Sequence, residues 1–284
     1  MQIFMELFEN IGFIIEGGLF LALAVLVFWF ETKHEGGNLR VLLTEKDNPA
    51  VAVSLCGFLG GCVIAFTGGV AMTGGAFWSQ LSGVAKYSLI ILVLQVVADY
   101  IGDKLIFHEL AFRAEIVEKR NVAAAVGKAA ISVATGFILA GAFSAPKQAL
   151  WLAGVWFLIG QLLLIAVAKF YQKAITPYDD MAEIRNQNLA AGFALAGVII
   201  AVGYTVGQAI EGEFESWLTD LGGVVLYIVV SLILLWLVRL FTAKIILPKS
   251  NLSDEIAKDK NIGAGLIEGS VYILTAMIIG FFLT

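Results

Sequence analysis

The chain has 284 residues, of which 60% are hydrophobic, 14% are charged and 30 are glycine, and its formal net charge is −5. This composition excludes a water-soluble globular protein, in which about 25% of residues are charged. Apolar runs long enough to cross a bilayer indicate a polytopic membrane protein instead.

Eight apolar segments of roughly spanning length follow one another along the chain. They are predicted at 11–30, 50–66, 84–107, 122–143, 150–171, 189–210, 221–247 and 262–283. Their apolar runs are continuous rather than alternating, which excludes a transmembrane barrel and leaves helices. The connection at 67–83 is glycine-rich and uncharged, and it is interpreted as a flexible loop or as a segment that re-enters the membrane.

The connections between these segments are of two kinds. Those at 31–47, 104–120, 172–187 and 248–260 are long and carry both charges, whereas the others are short, glycine-rich or acidic. Lysine and arginine are concentrated in the first kind, and Lys147 is the one basic residue in the loops of the second kind. The positive-inside rule therefore predicts that the long connections are cytoplasmic and that both termini lie outside.

An asparagine followed by small apolar residues opens every second predicted helix. The four openings are NPAVAV, NVAAAV, NLAAGF and NIGAGL, starting at Asn48, Asn121, Asn188 and Asn261. The second half aligns with the first at a shift of 140 residues without a gap. Because each half holds an even number of spans, both halves have the same orientation. The sequence predicts an all-α integral membrane protein of eight transmembrane helices, built as two parallel four-helix repeats (1–145 and 146–284), each of two helical hairpins.

The asparagine openings and the doubled four-helix plan resemble the YjfL-like family of bacterial inner-membrane proteins, which carries the label domain of unknown function 350. The resemblance covers nearly the whole chain as two tandem copies. It implies a location in the bacterial plasma membrane, but it brings no reaction, substrate or catalytic residue. Members of that family are often encoded near polyamine-related and membrane-stress proteins, which suggests polyamines or such proteins as partners.

Each signature asparagine stands where a helix N-cap is expected, and asparagine is a favoured N-cap residue. Pro49, directly after Asn48, suits the first position of a helix. The alternative is that four helix N-termini, positive through their dipoles, surround a vestibule that holds an anion. That alternative requires the four N-termini to lie close together.

Among the ionisable residues within the predicted spans, the repeat singles out four: Asp99, Lys128, Arg239 and Glu268. At 1.5 Å per residue, Asp99 and Lys128 lie roughly 8 and 10 Å from the same boundary. The 140-residue shift pairs Asp99 with Arg239 and Lys128 with Glu268, so the sign of each charge is exchanged between the halves. An unpaired charge costs about 2.5–3.5 kcal/mol in a bilayer. Two ion pairs are therefore predicted, either within each half (Asp99–Lys128 and Arg239–Glu268) or swapped between the halves.

Further polar residues accompany these charges at helical spacing. They are Gln95, Asp103, Ser132, Thr135, Tyr272 and Thr275. Such stripes either line a polar cavity or hydrogen-bond neighbouring helices together.

The sequence carries none of the phosphate-binding, dinucleotide-binding or nucleophile motifs of soluble enzymes. We therefore expect neither an enzyme nor a cofactor. His34 and His108 have no ligand-spaced partners, so no metal site is predicted. The basic loops are interspersed with acids, which argues against binding of nucleic acid. Besides the lipid bilayer itself, two readings of function remain. One is passage or coupling of a small ion, a polyamine or another polar solute through the charged layer; the other is a non-catalytic scaffold whose cytoplasmic loops bind partner proteins.

Overall fold

A computed structural model describes residues 2–73, 77–111, 113–146, 149–246 and 251–283, and all regular secondary structure within these ranges is helical. The long helices are α1 (Gln2–His34), α3 (Pro49–Ala71), α4 (Phe77–Leu105), α5 (Val122–Ala142), α6 (Leu150–Phe170), α8 (Leu189–Ala209), α9 (Trp217–Phe241) and α11 (Ile262–Leu283). The short ones are α2 (Leu39–Thr44), α7 (Asp180–Arg185) and α10 (Leu252–Ala257). Each long helix contains a stretch apolar and long enough to cross a membrane, giving eight spans among the described residues. The predicted eight-span helical architecture is confirmed.

The loop predicted at 67–83 is wrong for most of its length. Helix α3 continues to Ala71 and α4 already begins at Phe77, while residues 74–76 lie outside the described residues. Glycine in this stretch is a packing residue rather than a turn signal, because Gly68 lies directly against the backbone of Ala140 on a neighbouring helix. Lys147, the basic residue of the short, glycine-rich or acidic connections, also lies outside the described residues.

The helices form two layers. Helices α3, α5, α8 and α11, here called the row, pack side by side in chain order. Helices α1, α4, α6 and α9 pack against the row as an outer layer, so each outer helix and the row helix that follows it form a hairpin. The outer layer exposes large apolar side chains such as Ile14, Leu162 and Leu226, which suits contact with lipid.

Small residues let the row helices approach each other closely. Gly57 packs against Ala129, Gly203 against Ala134, and Gly197 against Gly269. Helices in a bilayer gain little from the hydrophobic effect, so close backbone packing of this kind is a main source of association.

Replacing Gly197 with alanine is expected to destabilise the protein by about 1–3 kcal/mol, because the new methyl group would overlap the backbone of Gly269. The measurement is unfolding of the purified protein by denaturing detergent. Gly154→Ala on α6 is the matched control, since no heavy atom lies within 4 Å of its added carbon, and it is expected to be neutral or slightly stabilising. Equal effects of the two substitutions would contradict the packing of the row.

The row helices all begin at the same end of the bundle, here called the asparagine end. The segments before them are α2, the π-helical turn Arg113–Glu118, α7 and α10. Between each of these and its signature asparagine stands one non-glycine residue with positive φ: Asp47 (45°), Arg120 (55°), Gln187 (58°) or Lys260 (52°). Such a conformation is uncommon outside glycine. Its recurrence at the same place in each hairpin shows that one turn is used four times.

Candidate functional site

Each signature asparagine caps the row helix that follows it. The side-chain oxygen of Asn48 accepts hydrogen bonds from the backbone amides of Ala50 and Val51, at 3.0 and 3.3 Å. The other caps repeat this contact, with donors Ala124 for Asn121, Ala190 and Ala191 for Asn188, and Ala264 for Asn261.

The same asparagines also link one hairpin to the next. The amide nitrogen of each donates to a backbone oxygen in the following unit: Asn48 to Ile116 (2.9 Å), Asn121 to Ile184 (2.7 Å) and Asn188 to Ile256 (2.8 Å). Asn261, the last, donates instead to the Glu255 carboxylate of its own loop at 2.8 Å. These contacts form a ladder along the asparagine end.

The ladder disfavours an anion site at the helix N-termini. The N-termini lie along a row, with α3 and α11 at its two ends, and each cap already binds one or two of the free amides of its helix. Carboxylates also lie beside them, since Asn121 donates to Glu115 and Asn188 to Glu183. The asparagines therefore act in the fold rather than on a ligand.

An ion pair joins Arg239 and Glu268, the two residues of the second half that the sequence singled out. Arg239 Nε on α9 lies 3.0 Å from Glu268 Oε1 on α11, and Arg239 Nη1 donates to the Ile175 carbonyl at 3.0 Å. The hydroxyls of Tyr171 and Tyr272 donate to the same Glu268 oxygen at 3.5 and 3.4 Å. Glu268 is 1% exposed, and its other carboxylate oxygen has no hydrogen-bond partner among the described residues. This is the within-half arrangement.

The Asp99–Lys128 ion pair predicted within the first half is wrong, because Lys128 pairs with a different acidic residue. Lys128 Nζ lies 2.8 Å from Asp103 Oδ2, one helical turn nearer the asparagine end than Asp99. Asp99 instead accepts hydrogen bonds from the Ser132 hydroxyl at 2.5 Å and from the Gln95 amide at 3.0 Å. Both acids lie on the same face of α4, four residues apart.

The direction of the side chains explains this difference. Cα–Cβ bonds tilt toward the N-terminus of a helix. On α5, which starts at the asparagine end, Lys128 therefore leans toward that end; on α4, which runs the other way, Asp99 leans away from it. The short aspartate cannot bridge the gap, whereas the longer Arg239 can reach Glu268 in the second half.

The remaining stripe residues fall into different places. Gln95 and Ser132 hold Asp99, and Tyr272 contacts Glu268. Thr135 lies away from the charges and contacts Gln161 of α6 at 3.4 Å. Thr275 is half-buried on α11 and makes no hydrogen bond with any described residue. The stripes thus hydrogen-bond helices together at some positions and hold charged groups at others.

Two further acidic residues, Asp180 and Glu31, lie near the charged side chains of the two halves. No sequence pattern singled them out. Asp180, the first residue of α7, is 3% exposed and accepts a hydrogen bond from Thr176 at 2.7 Å. Burial raises the pKa of Asp180 to about 7; the Thr176 bond opposes this rise and the charge of Glu268 adds to it. In the first half, Glu31 lines a cavity of 30 Å³ together with Lys128, Glu35 and Ser54. That volume admits a water molecule, and the cavity lies toward the asparagine end.

Each half therefore gathers at least two carboxylates around one buried basic side chain. In the first half these are Asp99 and Asp103 around Lys128. In the second half Glu268 pairs with Arg239, whose guanidinium also contacts Ile175; the next residue, Thr176, holds Asp180. In the described part of each half, one buried carboxylate is left without a basic partner.

Eight apolar helices in two tandem sets, with ion pairs between neighbouring spans, define a polytopic helical membrane protein. The family model described as Domain of Unknown Function (DUF350) matches residues 5–143 and again residues 147–283. The chain belongs to this family, as two tandem copies, and the resemblance drawn from the asparagine openings is confirmed. No curated protein and no solved structure matches the chain.

Proposed function

We propose that the protein passes or couples a small cation across the membrane, with the buried carboxylates of each half as its binding groups. The observation that supports this is that each half gathers more buried carboxylates than basic side chains around its ion pair. A buried carboxylate without a counter-ion is costly, because the low dielectric inside the bundle disfavours the charge. The cost is removed when a proton or another cation is taken up, so each half holds one group suited to exchange such an ion. The proposal assigns the protein a transport role and no enzymatic reaction.

The same proposal assigns the asparagine end to the cytoplasm of a bacterium and both termini to the outside of its plasma membrane. The support is the concentration of lysine and arginine in the connections that precede the row helices. The cavity that Glu31 and Lys128 line lies toward this end, so an ion would reach the first-half carboxylates from the cytoplasm.

The test is purified protein in liposomes, assayed for flux of protons, alkali cations and spermidine. We expect flux of at least one of these, reduced tenfold or more by Glu268→Gln, which removes the charge but keeps the side-chain shape. Thr275→Val is the control, since Thr275 lies on the same helix without a hydrogen bond to a described residue, and it should leave flux unchanged. Flux that is absent, or equal in wild type and Glu268→Gln, would refute the proposal.

A scaffold role is the second candidate, and the ladder at the asparagine end favours it. Three hydrogen bonds fix the loop segments that precede α5, α8 and α11 to the row helix of the preceding hairpin, which would hold a partner-binding surface in place. If the protein is a scaffold, substitutions of exposed loop residues such as Arg40 would abolish binding of the partner proteins. Glu268→Gln would then leave that binding intact.

A further inference from the structure

Three oxygen atoms near the asparagine end of the second half are shielded from solvent and lack a hydrogen-bond partner in the described ranges. They are Glu268 Oε2 on α11, Asp180 Oδ1 on α7, and the hydroxyl of Tyr178 in the loop before α7. Glu268 and Asp180 are 1% and 3% exposed. Buried polar atoms are nearly always satisfied in native proteins, so three orphans in one region call for a ligand.

The packing brings these atoms toward one another. Tyr178 and Ala243, the second residue after the end of α9, both pack against the apolar cluster that α8, α10 and α11 form and that contains Ala264 of α11. Glu268 is one turn beyond Ala264 on the same face of α11, and Arg239 is one turn before Ala243. The apolar cluster that Tyr178 packs against therefore lies about one turn from Glu268.

Asp180 approaches the same place from the other side. It is held by Thr176, whose neighbour Ile175 accepts the hydrogen bond from Arg239. Burial is the largest cause that raises the pKa of the Tyr178 phenol. The charges of Asp180 and Glu268 raise it further. The Arg239 side chain thus lies within electrostatic range of two carboxylates and a phenol.

The chemistry of the three atoms selects the ligand. A proton would neutralise one carboxylate but leave the other orphan atoms without a partner, whereas a cation is bound by all of them at once. Oxygen-only ligands suit hard cations. Glu268 and Asp180 against Arg239 leave one negative charge, which a single monovalent cation balances.

We propose that Glu268 Oε2, Asp180 Oδ1 and the Tyr178 hydroxyl form a binding site for one dehydrated monovalent alkali cation. The first half has no equivalent, because the 140-residue shift places Asn38 and Arg40 where Tyr178 and Asp180 stand. The stoichiometry is therefore one ion per chain. This inference rests on the proposed function in naming its cation, but it is tested by equilibrium binding without transport.

The experiment is binding of radioactive Na⁺ to the full-length protein in detergent micelles, by equilibrium dialysis against choline chloride at constant ionic strength. We expect saturation at one Na⁺ per chain. Tyr178→Phe removes one ligand oxygen and should weaken binding at least tenfold, and Asp180→Asn should weaken it further.

Tyr227→Phe is the matched control for the loss of a hydroxyl. The Tyr227 hydroxyl is likewise buried without a described partner, but it lies on α9 roughly 18 Å from Arg239 along the helix. Its binding curve should match that of the wild type. The site is refuted if Na⁺ does not saturate, or if Tyr178→Phe and Asp180→Asn bind like the wild type. Flux in liposomes without Na⁺ binding would refute this site and leave the proposed function standing.

Discussion

Replacing Arg239 with methionine is expected to destabilise the protein by about 3–5 kcal/mol, because it leaves Glu268 ionised, buried and without its counter-charge. The arginine also donates to the Ile175 carbonyl, so the substitution removes a contact between α9 and the segment after α6. The measurement is the unfolding free energy of the purified protein in mixed micelles with increasing denaturing detergent.

The double variant Arg239→Met with Glu268→Leu is expected to recover most of this loss, since an apolar pair of similar volume replaces a buried ion pair at little cost. Lys169→Met is the control for removing a basic side chain, because Lys169 lies near the end of α6 and its contact with His108 is exposed. Its effect should stay within about 0.5 kcal/mol. A double variant no more stable than Arg239→Met alone would show that the two side chains do not act as a pair.

Replacing Asn121 with alanine is expected to cost about 2–4 kcal/mol, whereas Asn261→Ala should cost about 1 kcal/mol. Both substitutions remove a helix N-cap, which contributes roughly 0.5–2 kcal/mol. Asn121 is fully buried and also donates to the Ile184 carbonyl and the Glu115 carboxylate, so the substitution removes two buried hydrogen bonds at a further cost of about 1–3 kcal/mol.

The position of each asparagine in the ladder makes this comparison informative. Asn261 is exposed and donates only within its own loop, so its loss affects the cap and one exposed hydrogen bond but no link between hairpins. The free energy of unfolding of both variants, measured under the same detergent conditions, gives the difference directly. Equal losses would indicate that the links between hairpins add nothing to the capping effect.

The helices and their repetition follow from the sequence because they depend on local patterns. Continuous apolar runs fix the spans, and the 140-residue shift reveals that charges at matching positions exchange sign between the halves. That exchange predicts ion pairs among these four residues, and the Arg239–Glu268 contact belongs to one of the two arrangements that it allows. The turn before each row helix is not predictable in the same way, because Asp47, Arg120, Gln187 and Lys260 share a positive φ without glycine or a common residue type.

Details of the charged groups depend on tertiary structure. Asp99 and Asp103 lie on one face of the same helix, and only the tilt of their side chains relative to Lys128 decides which of them forms the ion pair. Asp180 stands beside Asp179 in a polar connection, and in sequence the two look equally solvated. Contacts from Thr176 and the neighbouring helices bury one of them.

The junction between the two family copies has the same close packing as the interior of each copy. Gly203 of the second copy lies against Ala134 of the first, and the Asn121–Ile184 hydrogen bond crosses the same boundary. Separating the copies there would expose glycine and alanine surfaces to acyl chains and remove that hydrogen bond. A single copy would consequently leave that surface uncovered unless a second copy packed against it.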